Sequence, residues 1–199
     1  GYVETLSDLK GNSAMANKVY QEMSNQIDRM KDLADDIILL STLESDRQLP
    51  QQPINLHKLL SEILLEAEQI SGGKHRLTLG GESEIEIKAD TKLVRSALGN
   101  IVFNAVLHNP QGADISIAIS ETSQQIEVAI KDAGVGIDPD EIPRLTERFY
   151  RGDRSRNSKT GGSGLGLAIV KHALTKCGAT LDIKSRLGKG ALFICIFPK

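Results

Sequence analysis

Asn100, Asn104 and His108 recur every four residues in a stretch otherwise dominated by Leu, Val, Ile and Ala. On a helix that spacing sets them one turn apart on a single face. Asparagine is a poor helix former because its amide competes for backbone hydrogen bonds, so two of them mid-helix ask for a reason. Their carbonyl oxygens are hard ligands of the kind that holds Mg²⁺ alongside water and phosphate oxygens. Two solvent-facing asparagines would give the same pattern. A second group, Asp132-Ala-Gly-Val-Gly-Ile137, ends an alternating apolar run. A carboxylate there can accept a hydrogen bond from an amino group, while Gly134 and Gly136 let a flat ring approach the backbone. An ordinary Asp-Gly turn is the plainer alternative.

A third group is Gly161-Gly-Ser-Gly-Leu-Gly-Leu167. Glycine-rich backbone running into a helix presents N–H groups to phosphates. A dinucleotide fold would need an apolar strand just before it, but the preceding run, 151–160, is polar and basic. A Walker loop is excluded because neither Gly-Lys-Ser nor Gly-Lys-Thr occurs. A flexible linker is the remaining alternative. The fourth group, Phe149-Tyr150-Arg151, combines two aromatics that would anchor a lid over 151–163 with a guanidinium that reaches a phosphate. A hydrophobic helix end with a solvated Arg fits it too.

These groups need elements to position them. A short helix is expected over 1–10, and a long one from a Ser13 cap to about Glu44. Met23, Ile27, Met30, Ala34 and Ile37 step by four and three, the seam of a helix bundle. The stretch 45–53, with Pro50 and Pro53, reads as a linker, giving domains over 1–48 and 49–199. Beyond it a helix capped by Asn55 carries Leu56, Leu59, Leu60, Ile63 and Leu64 and ends at Gly72-Gly73. Strands are expected over 76–79 and 84–88, a helix from an Asp90 cap to Leu107, and a hairpin of Ile115/Ile117/Ile119 against Ile126/Val128/Ile130. Helices over 140–148 and 165–176 and a hairpin of 180–185 with 191–197 complete the chain. The expected class is α+β, helices on one face of a mixed or antiparallel sheet.

Composition narrows the partners. Lys plus Arg number 24 against 26 Asp plus Glu, a net charge of −2 that gives no field for nucleic acid or an anionic membrane. Aromatics are 4% with no Trp, so the core is aliphatic and stacking platforms for bases are not expected. No apolar run reaches the roughly 20 residues of a membrane helix. Cys177 and Cys195 lack metal spacing and read as reduced core residues. His57 and His75 read as surface residues.

Taken in order, the four groups resemble the catalytic and ATP-binding domain of sensor histidine kinases, of the superfamily that includes gyrase B and Hsp90. Asn100-Ile-Val-Phe-Asn104-Ala resembles the N box and Asp132-Ala-Gly-Val-Gly136 the G1 box. Phe149-Tyr150-Arg151 resembles the F box and Gly162-Ser-Gly-Leu-Gly166-Leu167 the G2 box. The runs 145–151 and 160–172 are particularly similar to phosphate-regulon sensor kinases.

The resemblance implies a helical hairpin or bundle fragment followed by an α/β sandwich that binds ATP and Mg²⁺. Asn104 would hold the metal with Asn100 assisting there or at the phosphates. Asp132 would read the adenine amino group, and Gly134 and Gly136 would shape the adenine floor. Arg151 would touch the γ-phosphate, and Gly162, Gly164 and Gly166 would frame the triphosphate. His108, Ile137, Phe149, Tyr150, Leu165 and Leu167 complete the set of nucleotide-site residues. Ala133 replaces an Asn usual in the family, and Leu107 stands where relatives carry Lys or Arg.

The phospho-accepting His, followed in the family by an acidic residue and Thr-Pro or Ser-Pro, is not among His57, His75, His108 and His172. The chain is therefore expected to start after the acceptor, binding ATP without phosphorylating itself. Implied partners are a response-regulator receiver domain and a second copy through the helical region. Implied location is the cytoplasmic portion of an inner-membrane protein, without nucleic acid and without membrane contact by these residues. The rivals are a superfamily ATPase or Ser/Thr-directed kinase, and a non-enzymatic dimerising module.

Overall fold

The computed structural model describes residues 13–44, 50–152 and 163–199. The chain divides into two compact units, Gly1–Ser41 and Thr42–Lys199. Helix α1 (Ser13–Glu44), whose residues up to Ser41 belong to the first, follows the periodicity of its apolar residues. Ile27, Met30 and Ile37 of the expected seam are exposed along it, Met30 at 70%. The helix expected over 1–10 lies outside the described residues.

The second unit comprises β1 (Gln52–Asn55), α2 (Leu56–Ser71), β2 (Arg76–Gly81), β3 (Glu86–Ala89), α3 (Thr91–Leu107), β4 (Asp114–Glu121), β5 (Gln125–Asp132), a 3₁₀ turn (Ile142–Arg144), α4 (Gly166–Lys176), β6 (Thr180–Ser185) and β7 (Ala191–Pro198). The main sheet has the order β2-β4-β5-β7-β6, with β2 parallel to β4 and every other pair antiparallel. It is the mixed sheet of an α+β fold.

The period-two pattern decides which face is buried. Ile115, Ile117 and Ile119 of β4, Ile126, Val128 and Ile130 of β5, and Phe193, Cys195 and Phe197 of β7 all point into the core. Register aligns them across strands, Ile117 opposite Ile130 and Val128 opposite Cys195. Against them lie Leu56, Leu60 and Ile63 of α2, Leu98 and Ile101 of α3, and Ile169 and Leu174 of α4, all almost fully buried. Each such aliphatic side chain contributes roughly 1.5–3 kcal/mol on burial. That packing, with no Trp, fixes the helices to the sheet.

Caps set where the helices begin. Asn55 Oδ1 accepts from Lys58 N at 2.8 Å, and Asp90 Oδ1 accepts from Lys92 N and Leu93 N at 2.8 and 3.1 Å. Gly72 ends α2 in the left-handed region.

Several expectations are corrected. The helix expected over 140–148 is only a 3₁₀ turn. Pro143 lacks an N–H and blocks helix propagation before it, and none of the turn's residues is buried to support a longer one. Part of the expected linker is strand β1, which pairs antiparallel with β3 and sets Ile54 opposite Ile87. Both side chains are buried, so local Pro content was overridden by tertiary pairing. β2 runs two residues further than expected, to Gly81, and β3 begins at Glu86. Cys195 is buried, and burial pushes its thiol up to about 12; Cys177 is only half-buried, and both are free. His75 is not a simple surface residue. Its Nε2 lies 2.9 Å from Asn109 O and its Nδ1 lies 3.0 Å from Ser71 Oγ. A carbonyl only accepts, so Nε2 carries the proton of that bond.

No helix among the described residues is long and apolar enough to cross a membrane.

Candidate functional site

The site collects at the ends of β5, α3 and α4. Strand β5 delivers Asp132, 6% exposed, to its last position, opposite Ile115 of β4. Asp132 Oδ1 accepts from Gly134 N at 2.9 Å and from Asn109 Nδ2 at 3.3 Å. No described residue donates to Oδ2, and that oxygen is not sealed from solvent. The carboxylate is thus held by one oxygen while the other remains available to a donor.

Asn109, immediately after α3, is the residue that sequence reasoning missed. It is 5% exposed. Its Nδ2 also donates to Ala105 O at 2.8 Å, and its Oδ1 accepts from Val135 N at 3.1 Å. A Cβ on Gly134 would overlap this amide, so glycine is required there by close approach. The only signal in the sequence was Asn109-Pro110 at a helix end, which reads equally as a stop.

The loop after Asp132 is braced from the β6–β7 hairpin. Gly136 has φ 68°, Val135 O accepts from Gly188 N at 2.8 Å, and Ile137 N donates to Ser185 Oγ at 2.8 Å. The Ser185 hydroxyl donates onward to Gly190 O at 2.7 Å. Ser185 and Gly190 were not singled out from the sequence because they are remote from the motif they support.

The asparagine face meets the glycine-rich segment. A Cβ on Gly166 would sit 2.8 Å from Asn100 Oδ1 and 3.8 Å from Asn104 Nδ2, so the first turn of α4 packs directly on these two residues. Asn100 Nδ2 donates to Ser96 O at 2.9 Å, which anchors it to its own helix. The Asn104 amide has no hydrogen-bond partner among the described residues. Leu165 is fully buried and Leu167 half-buried, so these two hold the segment while Gly166 faces the asparagines.

Gly164 joins that segment to the aromatics. Phe149 N donates to Gly164 O at 2.9 Å, and Phe149 takes φ 62°, the sole non-glycine positive φ among the described residues. Such a conformation for a bulky residue costs about 1–3 kcal/mol and persists only where neighbours enforce it. Phe149 is 63% exposed, while the Arg144 guanidinium lies 4.4 Å from the centroid of the Tyr150 ring. Arg151 and His108 face one field: burial and the Arg151 charge push the His108 pKa down, and Asp132 pulls it up. His108 therefore stays neutral at pH 7. Gly162 and most of the expected lid, 153–162, lie outside the described residues.

Among the described residues no group of three or more His, Cys, Asp or Glu is placed to hold a metal. A cation here needs amide oxygens and oxygens from a ligand.

Residues 89–199 match the family described as histidine kinase-, DNA gyrase B- and HSP90-like ATPase. The chain belongs to this family. The match starts at Ala89, the last residue of β3, and covers Asn100, Asp132, Phe149 and Gly166, so the family's ATP-binding domain contains every group assembled above. The chain is 42% identical to the phosphate regulon sensor protein PhoR of Pseudomonas aeruginosa, over 99% of the chain and 45% of that protein. It is 34% identical to PhoR of Haemophilus influenzae, over 100% of the chain and 47% of that protein. The chain thus spans about half the length of these curated relatives. Its fold is similar to that of the histidine kinase ThkA, solved in complex with the response regulator protein TrrA. That likeness has a TM-score of 0.78 at 19% identity, over 100% of this chain and 56% of that one. The α+β sandwich is thus the ATP-binding fold of histidine kinases.

Proposed function

We propose that this chain is the kinase core of a two-component sensor. It binds Mg-ATP and presents the γ-phosphate to a histidine outside the four in these 199 residues. In the transfer, the bond from the β–γ bridging oxygen to the γ-phosphorus breaks and a nitrogen–phosphorus bond forms, leaving ADP. A receiver-domain aspartate would take the phosphoryl group next. The similarity to PhoR at 42% identity supports phosphate-starvation signalling as the context. It also supports a cytoplasmic position in an inner-membrane sensor.

One observation carries this reading: a buried carboxylate at the end of the central strand, with Oδ1 occupied and Oδ2 open. An adenine amino group satisfies that oxygen. Gly134 and Gly136, packed against Asn109 and the β6–β7 hairpin, would shape the floor under the ring, with Ile137 and the neutral His108 beside it. The Asn104 amide oxygen suits Mg²⁺, with Asn100 next to it, because Mg²⁺ keeps waters and shares phosphate oxygens. Bound there, the ion would neutralise charge developing on the transferring phosphoryl group. Arg151 would reach the γ-phosphate. Gly162, Gly164 and Gly166 would lay backbone N–H groups along the triphosphate, with Leu165, Leu167, Phe149 and Tyr150 holding the segment. In this reading the acceptor histidine attacks phosphorus and no side chain of these 199 residues does, so their contribution is positioning and charge.

The exposed seam Ile27, Met30 and Ile37 supports dimerisation through α1, since two such faces bury each other.

The test is titration of a fluorescent ATP analogue with and without Mg²⁺, then incubation with γ-labelled ATP. Mg²⁺-enhanced binding with no label on this chain is expected. Label should appear on a longer form that carries the acceptor histidine. Absence of ATP binding, or acid-labile label on these 199 residues, would overturn the reading.

A further inference from the structure

We propose that Asn109 is a positioning residue that sets the chain's preference for a 6-amino purine, by fixing the Asp132 carboxylate rotamer through Nδ2 while its Oδ1 pins the following loop at Val135. The inference rests on the ATP-binding reading above and adds to it a residue outside the four boxes.

Asn109 uses both of its side-chain donors and one Oδ1 lone pair internally, and it is almost fully buried. Nδ2 donates to Ala105 O and to Asp132 Oδ1, and Oδ1 accepts from Val135 N. With both donors engaged and the side chain buried, it acts through its neighbours. The two bonds have separable effects. The Oδ1 bond fixes the height of the loop carrying Gly134 and Gly136, on which any flat base must lie. The Nδ2 bond, together with Gly134 N–H, occupies Asp132 Oδ1 with two donors. A carboxylate held this way by two donors on one oxygen does not rotate to exchange its oxygens, so Oδ2 is the one offered. An accepting oxygen with no donor of its own selects a base that presents an amino group and disfavours one that presents a carbonyl.

The backbone of Asn109 is itself fixed. Its carbonyl accepts from Gly112 N at 2.8 Å and from His75 Nε2 at 2.9 Å, and His75 is oriented by Ser71 at the end of α2. Ser71 and His75 thus hold the Asn109 backbone from the far end of α2, and the Asn109 side chain passes the support on to Oδ1 of the Asp132 carboxylate. Partners of this kind set the orientation of a functional group without touching the ligand.

The experiment compares the Kd of ATP with that of purine riboside 5′-triphosphate, which lacks the 6-amino group, in the wild-type chain, Asn109→Ala and Asn109→Asp. Wild type should favour ATP by about tenfold or more, the worth of one hydrogen bond to a charged group. Asn109→Ala should reduce that ratio toward one, chiefly by weakening ATP. Asn109→Asp preserves the Oδ1 acceptor for Val135 but sets a second carboxyl group against Asp132, and should also collapse the ratio. Because the readout is a ratio within one protein, loss of folded fraction does not move it. A wild-type ratio retained in both variants, or equal weakening of both nucleotides, would overturn the assignment. A wild-type ratio near one would instead overturn adenine reading by Asp132, and this inference with it.

Discussion

Gly134 and Asn109 are packed so closely that a Cβ at position 134 would overlap the Asn109 side-chain amide. The contact joins the loop after β5 to the end of α3, two segments 25 residues apart in sequence. Gly134→Ala should therefore cost about 1–3 kcal/mol through overpacking. Asn109→Ala removes the obstruction, so the double variant should be more stable than the two single losses predict. Urea denaturation of the four proteins checks this coupling; strict additivity would mean the contact is slack.

Asp132→Asn preserves shape but turns a pure acceptor into a mixed group facing the Gly134 N–H and the Asn109 amide. ATP affinity should fall by about 1–3 kcal/mol. Calorimetric titration with ATP measures it, and an unchanged Kd would remove Asp132 from base recognition.

Asn104→Ala should abolish most of the enhancement that Mg²⁺ gives to ATP binding while leaving adenosine binding nearly intact. Its amide has no partner among the described residues to lose, so the melting temperature without ligand should barely change. Normal Mg-ATP binding by the variant would place the metal elsewhere.

His108 predicts a pH effect. Burial and Arg151 lower its pKa from 6.5, so the unfolded chain binds this proton more readily than the folded protein. Where the unfolded state holds more protons, stability rises with pH. The contribution is fully present above about 6.5 and is lost as pH falls from there through the lower folded value. Urea midpoints at pH 5.5 and 7.5 should differ less in His108→Gln than in wild type. An identical difference would show that His108 does not feel the Arg151 field.

The fold was legible wherever one residue's periodicity decided one face. Ile115, Ile117 and Ile119 announce a strand, and Asp90 with its following apolar face announces α3, because both signals are local. Pro143 misled because the residues around it, 140–148, have the helix composition but lack a face to bury. β1 was hidden for the opposite reason: Ile54 is one apolar residue among prolines, and only its partner Ile87 makes it a strand. At the site, Asn100, Asn104, Asp132 and the glycines stood out by spacing. Asn109 did not, since its significance lies in meeting Asp132 and Val135 across 23 and 26 residues. His75 was read as exposed because nothing local shows that Asn109 O lies beside it.

Asp132 terminates β5, the middle strand of the five, flanked by β4 and β7. In the proposed reading the phosphates would instead face connecting segments around Phe149 and Gly164. Middle strands yield only when a whole domain comes apart, whereas connections open at far smaller free energies. On that reading the architecture is graded: the identity of the base would be read by a middle strand, and the reactive end of the nucleotide would be handled by connecting segments. Such a division lets the terminal phosphate be offered to different geometries of an approaching acceptor while the choice of nucleotide stays the same.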